Sequence, residues 1–126
     1  MKKLLTFILA ALGLNIACSQ NFENTDVKGF AELIDSANVV IIDVRTAEEF
    51  NEGHIDGAIL IDQNKSDFLE QVAQQLPKDK TIAIYCRSGR RSANAAQLLA
   101  KEGYKPVNLK GGILQWMKEN MPVTKE

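Results

Sequence analysis

The sequence predicts an α/β domain, in which a central parallel sheet of about five short strands is covered by helices on both faces. Apolar and β-branched runs at 39–44 and 81–85 are typical of strands buried on both faces of a parallel sheet. Segments with helix signals alternate with the strands, which is the pattern of parallel sheets. The length of 126 residues, with 45% hydrophobic and 25% charged residues, fits one globular domain.

Apolar spacing and helix signals predict the elements of the first half. A shared apolar face predicts a helix over 28–36, which precedes the strand at 39–44. Thr46 and the acidic residues after it predict the start of a second helix, and Gly53 predicts its end. A short strand follows at 58–61.

The second half repeats this alternation. Ser66 is predicted to cap a helix that runs to about Leu76 and is stopped by Pro77. After the strand at 81–85, an alanine- and leucine-rich segment predicts a helix over 92–101. The remaining elements are a strand over 107–109 and a helix that opens at Gly111–Gly112.

The first eighteen residues have the pattern of an export signal. Lys2 and Lys3 precede a short apolar run over 4–14 that is too short for a membrane span of about 20 residues. The alternative is a core helix at the start of the domain. Ala17-Cys18-Ser19 resembles the lipobox of bacterial lipoproteins, which implies a lipid on Cys18. We therefore expect an exported, membrane-anchored lipoprotein facing the periplasm or cell envelope, with a soluble secreted form as the alternative.

This interpretation divides the chain into four parts. They are a signal peptide over 1–17, a tether over 18–27, the domain over 28–122 and a C-terminal tail over 123–126.

The net charge of −1 argues against a broad basic surface, so binding to nucleic acid is not expected. Two cysteines in different contexts and one histidine lack metal-site spacing, so no metal site is expected.

Cys86 is the strongest candidate for a catalytic residue. Three of the four arginines of the chain, Arg87, Arg90 and Arg91, follow it within six residues. Cys86 ends a predicted strand just before a helix, where ligands bind in parallel sheets and where a thiolate is favoured. Gly89 allows the loop to turn back with a positive φ. The alternative is a buried structural cysteine, which an apolar flank would have favoured.

Four blocks of the sequence together resemble the single-domain rhodaneses, a sulfurtransferase family. Their resemblance covers about residues 27–120. The blocks are Ile41–Arg45, Glu49–Phe50 with Gly53–Ala58, Tyr85–Ser92 and Gly111–Trp116. In the sulfurtransferases of this fold the cysteine is followed by four residues and an arginine, as from Cys86 to Arg91. The related phosphatases and arsenate reductases have five intervening residues, which would require arginine where this chain has Ser92.

The resemblance implies a two-step transfer of sulfur. The Cys86 thiolate takes the outer sulfur of a small anionic donor such as thiosulfate, and the persulfide passes it to a thiol or cyanide acceptor. The donor-binding loop, which stabilises the persulfide through its N–H groups, consists of Arg87, Ser88, Gly89, Arg90, Arg91 and Ser92. Arg91 is expected to matter most in attracting the donor. No metal or organic cofactor is required.

The other matched residues are expected to support the fold. Asp43 is expected to bond loop backbone, Arg45 and Glu49 to pair with each other, His54 to be a fold element rather than a general base, and Trp116 to pack the last helix onto the sheet. Three further functions stay open besides a sulfurtransferase that turns over. The first is a persulfide carrier or binding module for a partner protein. The second is a phosphatase or arsenate-reductase-like activity on the same fold, which the loop length disfavours, and the third is a noncatalytic scaffold, which the intact loop disfavours.

Overall fold

The computed structural model describes residues 22–126, so the predicted signal peptide over 1–17 and Cys18 lie outside the described residues. A central sheet contains five strands, all parallel, in the order β1-β5-β4-β2-β3. The strands are β1 (Glu23–Thr25), β2 (Val39–Asp43), β3 (Ile59–Leu60), β4 (Thr81–Tyr85) and β5 (Lys105–Leu109). The helices are α1 (Val27–Ile34), α2 (Ala47–Glu52), α3 (Phe68–Gln75), α4 (Arg90–Lys101) and α5 (Gly112–Lys118). The predicted fold class is confirmed.

Each face of the sheet has its own core. Alternate residues of a strand point to opposite faces, and β4 shows this clearly. Its Ile82 and Ile84 are buried on the face covered by α3 and α4. Its Ala83 and Tyr85 are buried on the face covered by α1 and α5. Cys86, the next residue, belongs to the first of these cores, which directs its side chain toward α4.

The register of the central strands brings the ends of β2 and β4 together. Asp43, the last residue of β2, pairs with Tyr85, the last residue of β4. Because the strands are parallel, the residues that follow them emerge at the same edge of the sheet. Asp43 and the residues that follow β4 are thereby brought together at this carboxyl edge.

The predicted tether and C-terminal tail are both wrong in part. Residues 23–25 form edge strand β1, which pairs with β5, and Val27 begins α1. The polar sequence Glu-Asn-Thr has no strand signal, because an edge strand of three residues needs little apolar surface. In the tail, Thr124 exchanges two backbone hydrogen bonds of 2.8 Å with His54, so this end of the chain is fixed to the domain.

Two predicted helix starts are also corrected. Ser66 does not cap α3, which begins at Phe68 after Asp67. Helix α4 begins at Arg90 rather than at Ser92. The first helical turn of α4 therefore contains residues 90–92, which the sequence assigned to the loop. Within residues 22–126, none of the helices has the length and apolar character needed to cross a membrane.

Candidate active site

Hydrogen-bond donors surround the Cys86 sulfur. Cys86 directly follows β4 and is completely buried beneath the segment that leads into α4. The backbone N–H of Gly89 donates to Sγ at 3.1 Å, and the hydroxyl of Ser92 donates to it at 3.3 Å. Ser92 is itself completely buried on the first turn of α4. The loop therefore places both a peptide N–H and a hydroxyl on the sulfur.

These donors lower the pKa of Cys86 below its ordinary value. Burial acts in the opposite direction and raises the pKa, because it removes water from the charged form. The hydroxyl and N–H of Ser92 and the N–H groups of Gly89 and Ser88 outweigh it by bonding the thiolate. The lowering expected from the sequence is therefore present, but hydrogen bonds dominate it rather than the arginine charges that the sequence suggested. A thiolate is the nucleophilic form of cysteine.

Gly89 fixes the turn of the loop. Its φ of +100° lies in the region that favours glycine, as the sequence predicted. A Cβ at this position would also lie 3.0 Å from the carbonyl oxygen of Lys110. The amide of Asn108, a buried residue of β5, donates to the Gly89 carbonyl at 3.3 Å and to Oδ1 of Asn24 at 2.9 Å. Strands β1 and β5 thus support the loop from below.

The start of α5 holds the other end of the loop. The N–H groups of Ile113 and Leu114 donate to the carbonyls of Cys86 and Arg87 at 2.9 and 3.1 Å. Gly112 has a φ of +65°, and a Cβ there would overlap the Arg87 carbonyl. The sequence identified this block only as a closing element. It contacts the loop because the backbone of Gly112 lies against the backbone of Arg87, and a pattern of side chains does not reveal such a contact.

Arg91 closes the loop onto α2. Its guanidinium makes two bonds of 2.8 Å to the carboxylate of Glu49, which also accepts from the N–H of Thr46 at 3.2 Å. The Arg91 bond is the main cause that lowers the pKa of Glu49 to about 2. The pair with Glu49 balances the Arg91 charge and holds the start of α4 against α2. The expectation that Arg91 attracts an anionic donor stays a prediction.

The predicted pair of Arg45 and Glu49 is wrong. Arg45 instead forms a buried ion pair with Asp43 at 2.7 Å and donates to the Gly53 carbonyl at 2.7 Å. Asp43 also accepts the Arg45 N–H at 3.0 Å, which is a bond to the backbone directly after β2. The Arg45 guanidinium lies over the Tyr85 ring at 5.6 Å. Arg45 therefore pairs with Asp43, and Glu49 pairs with Arg91. The four-residue spacing of Arg45 and Glu49 could not predict these partners.

His54 and Trp116 are buried parts of the fold. The His54 ring stacks on Phe50 at 3.6 Å, and its Nδ1 lies 2.8 Å from the Phe50 carbonyl. Trp116 is buried in the core between α5 and the sheet, and its Nε1 donates to the Pro122 carbonyl at 2.8 Å. The predicted packing of Trp116 is confirmed. Neither residue has a hydrogen bond to the loop, which fits a structural role for both.

Two arginines of the site stay exposed. Arg87 and Arg90 form no ion pair within residues 22–126. Arg87 borders a shallow cavity of about 260 Å³ beside the loop, between α2 and α5. The cavity is lined by Arg45, Glu49, Glu52, Gly53, Arg87, Ile113, Leu114 and Met117. Arg87 thus places an exposed positive charge at a cavity beside the Cys86 loop.

Residues 26–119 match the family described as Rhodanese-like domain. The chain belongs to the rhodanese-like domain family. A sulfurtransferase of Allochromatium vinosum is 35% identical over 92 residues, which are 72% of this chain and 83% of that protein. The thiosulfate sulfurtransferase GlpE of Shewanella oneidensis is 33% identical over 102 residues, which are 79% of this chain and 97% of that protein.

A solved structure shares the rhodanese fold described above. The rhodanese-related protein of Thermoplasma volcanium superimposes with a TM-score of 0.74 at 30% identity, over 83% of this chain and all of that one. Some other curated relatives are larger proteins, of which this chain spans 21% to 32%. The rhodanese-like domain and its sulfurtransferase relatives support a sulfurtransferase kind of activity for this chain.

Proposed function

We propose that this rhodanese-like domain is a sulfurtransferase that moves sulfane sulfur from a small anionic donor, such as thiosulfate, through a Cys86 persulfide to a thiol or cyanide. The main support is the set of donors around Sγ, where a peptide N–H and a hydroxyl lie within 3.3 Å. The same groups that stabilise the thiolate also stabilise the anionic persulfide, whose charge lies one sulfur further out. The relative GlpE is named a thiosulfate sulfurtransferase.

In the first step, the Cys86 thiolate attacks the outer sulfur of thiosulfate. A bond forms between Sγ and that sulfur, the sulfur–sulfur bond of the donor breaks, and its electron pair leaves with sulfite. Burial of Sγ excludes water, and the loop N–H groups are already aimed at the charge, so little reorganisation is required. The exposed Arg87 and Arg90 attract the doubly negative donor.

In the second step, an acceptor thiolate or cyanide attacks the outer sulfur of the persulfide. The bond between the two sulfurs breaks, and its electron pair returns to Sγ as the thiolate. The donors from Gly89 and Ser92 again hold this charge. The cycle needs neither an oxidant nor a reductant, because the sulfane sulfur keeps its oxidation state. It is a ping-pong reaction with a covalent intermediate.

The deciding experiment is the intact mass of residues 19–126 before and after thiosulfate, with Cys86→Ser as the control. Wild type should gain one sulfur, about 32 Da, and lose it on addition of cyanide or dithiothreitol. Cys86→Ser should stay unchanged. A wild-type protein that gains no mass would exclude thiosulfate as a donor, and a gain in Cys86→Ser would exclude Cys86 as the carrier.

The proposal includes an exported location with a lipid on Cys18. Its support is the sequence alone, through the positive start, the short apolar run and the resemblance of Ala17-Cys18-Ser19 to a lipobox. Intact mass of the membrane fraction from cells that express the full chain tests it. Mature protein should begin at Cys18 and carry the mass of acyl chains. Cys18→Ser should abolish this modification, and an unprocessed Met1 terminus would contradict the proposal.

A further inference from the structure

A buried amide on β5 lies beneath the loop that holds the nucleophile. Asn108 is 2% exposed, and its Nδ2 donates to the Asn24 Oδ1 at 2.9 Å and to the Gly89 carbonyl at 3.3 Å. Its Oδ1 is the only buried side-chain oxygen or nitrogen of residues 22–126 that has no hydrogen-bond partner. An unpartnered buried oxygen weakens a fold. Packing alone would therefore favour an apolar residue here, and the contribution of the amide lies in the two bonds that it donates.

Gly89 connects this amide to the Cys86 sulfur. As the N-cap residue of α4, Gly89 has no side chain with which to cap the helix. Its carbonyl accepts from the N–H of Ala93 at 3.1 Å and from Asn108, while its own N–H donates to Sγ at 3.1 Å. A movement of Gly89 would therefore change the bond to the sulfur. It would also move the first turn of α4, from which Ser92 donates its hydroxyl to the same sulfur.

Asn24 orients the Asn108 amide. The two residues lie directly opposite each other in the register of β1 and β5. The Asn24 Oδ1 and the Gly89 carbonyl are both acceptors, so each requires the NH₂ end of the amide. A reversed amide would place its oxygen against two acceptors. An exposed residue of the first strand thus helps to determine which end of a buried amide faces the loop.

A second contact joins β1 to the same part of the loop. The Thr25 carbonyl accepts from the N–H of Lys110, the residue directly after β5, at 2.9 Å. The backbone of Gly89 lies against Lys110, since a Cβ on Gly89 would be 3.0 Å from the Lys110 carbonyl oxygen. Strand β1 therefore holds two neighbours of Gly89, which are Asn108 through its side chain and Lys110 through its backbone.

We propose that Asn24 and Asn108 are positioning residues for sulfur transfer, in which Asn24 orients the Asn108 amide and that amide holds Gly89 with its N–H on the Cys86 sulfur. Both asparagines act through Gly89, whose N–H is the group that bonds the sulfur. The inference rests on the proposed function, because this N–H stabilises both the attacking thiolate and the persulfide. It extends the active site to β1, at the start of the domain.

The first test is the pH dependence of Cys86 alkylation by iodoacetamide in residues 19–126, where Cys86 is the only cysteine. In Asn24→Ala the midpoint should move to higher pH and the rate at pH 7 should fall by about threefold, which is the order of one lost hydrogen bond. Glu23→Ala is the matched control, because Glu23 is the exposed neighbour on the same strand and points to the other face of the sheet. It should keep the wild-type midpoint.

A conservative variant separates positioning from a merely structural role. Asn24→Asp keeps an oxygen that accepts from the Asn108 amide, so it should keep the wild-type midpoint when added salt screens its exposed charge. Asn108→Ala should shift the midpoint at least as far as Asn24→Ala. Adding Asn24→Ala to Asn108→Ala should then have no further effect, because Asn24 acts through Asn108. If Asn108→Ala does not fold, the three variants at positions 23 and 24 decide the question.

Single-turnover loading with thiosulfate shows which step the asparagines affect. In Asn24→Ala the saturating rate of persulfide formation should fall by about threefold, as the alkylation rate does. The thiosulfate concentration for half-maximal rate should stay unchanged, because Asn24 lies outside the cavity beside the loop. A change in that concentration with an unchanged saturating rate would overturn the positioning role in favour of donor binding.

The outcomes separate this inference from the proposed function. An unchanged alkylation midpoint in Asn24→Ala, or an equal shift in Glu23→Ala, would overturn the positioning role and leave the persulfide chemistry intact. Equal shifts in Asn24→Asp and Asn24→Ala would also overturn it, because the acceptor oxygen would then be irrelevant. A wild-type protein whose mass does not change with thiosulfate would instead overturn the proposed donor, while alkylation still measures the effect of the asparagines on the thiolate.

Discussion

At the scale of the residue, the Cys86 sulfur shows why hydrogen bonds and not net charge decide the state of a buried thiol. Burial alone would favour the neutral form. The Ser92 hydroxyl and the N–H groups of the loop reverse that preference, since each acts at about 3 Å in a medium that screens little. Of the neighbouring arginines, Arg91 is paired with Glu49 and Arg87 is exposed.

Removal of the Ser92 hydroxyl should weaken the thiolate. In Ser92→Ala the midpoint of Cys86 alkylation by iodoacetamide should move to higher pH, because one charge-assisted hydrogen bond is lost. The alkylation rate at pH 7 should fall by about threefold to tenfold, from the ordinary strength of such a bond. Ser88→Ala is the control, since Ser88 acts on the sulfur through its backbone N–H. An unchanged midpoint in Ser92→Ala would contradict this account.

The Glu49–Arg91 pair should make stability depend on pH in the acid range. The pKa of Glu49 is lowered to about 2 in the folded protein, mainly by Arg91, from an ordinary value of 4.5. A lowered pKa means that the stabilisation is complete above the unfolded value and is lost as the pH falls through the folded value. Urea unfolding of wild type should therefore show a decline between about pH 4.5 and 2, on the order of 1–3 kcal/mol.

Glu49→Gln should remove most of this decline, while it lowers the free energy of unfolding at pH 7. Glu48→Gln is the matched control, because Glu48 is the exposed neighbour of Glu49 on the same helix turn and has no ion pair with any residue of 22–126. It should keep the wild-type pH profile. A Glu49→Gln protein with the same acid profile as wild type would show that the decline comes from other carboxylates.

At the scale of the element, the site exists where β4, the start of α4 and the start of α5 meet. Gly112 is the tightest point, because its φ of +65° and its approach to the Arg87 carbonyl leave no room for a Cβ. Gly112→Ala should displace the loop and lower sulfur transfer at least tenfold, since misplacement by about 1 Å is costly in catalysis. Steady-state rates with thiosulfate and cyanide measure this effect.

Gly103→Ala separates steric overlap from backbone strain. Gly103 also has a positive φ, +93°, but a Cβ there meets only the flexible side chain of Lys78 at 3.8 Å. Both variants should lose about 1–2 kcal/mol of stability through the left-handed backbone. Gly112→Ala should lose more than this, because its Cβ would overlap the Arg87 carbonyl. Circular dichroism shows whether each variant is folded. Among folded proteins, only Gly112→Ala should lose sulfur-transfer activity. Equal losses of activity in the two variants would show that the loop does not depend on this contact.

Local patterns predicted the elements that have strong signals of their own. The apolar runs of β2 and β4 and the capping Thr46 of α2 are present as expected. The sequence could also place Cys86 at the end of a strand. It could not show that Arg91 bonds Glu49 rather than solvent, because that contact joins residues 42 positions apart. For the same reason the sequence does not predict β1, since the strand that pairs with it among residues 22–126 is β5, far along the chain.

At the scale of the whole molecule, the start of the domain and the Cys86 loop can be compared by their positions along the parallel strands. Strand β1 runs parallel to β5, with Glu23 opposite Val107 and Thr25 opposite Leu109. Glu23 is level with the middle of β5 and β4, because Val107 also pairs with Ala83, and β1 runs from there toward the carboxyl edge where Cys86 follows β4. Phe22, which precedes β1, lies with Thr81 and Lys105, the first residues of β4 and β5. The chain therefore enters β1 from the amino edge, and we expect the proposed anchor on Cys18 to leave the Cys86 loop accessible.

This geometry predicts that membrane attachment does not hinder large acceptors. The lipidated chain in liposomes and residues 19–126 in solution are each loaded with sulfur from thiosulfate. Transfer is then measured to cyanide and to a thiol coupled to a large polyethylene glycol. We expect the two forms to agree within about twofold for both acceptors, because the proposed anchor precedes β1 and the chain enters β1 from the amino edge of the sheet. A slower transfer rate on liposomes that is confined to the large acceptor would contradict this prediction. It would mean that the loop faces the membrane, because the space between loop and bilayer would then admit cyanide but exclude a bulky thiol.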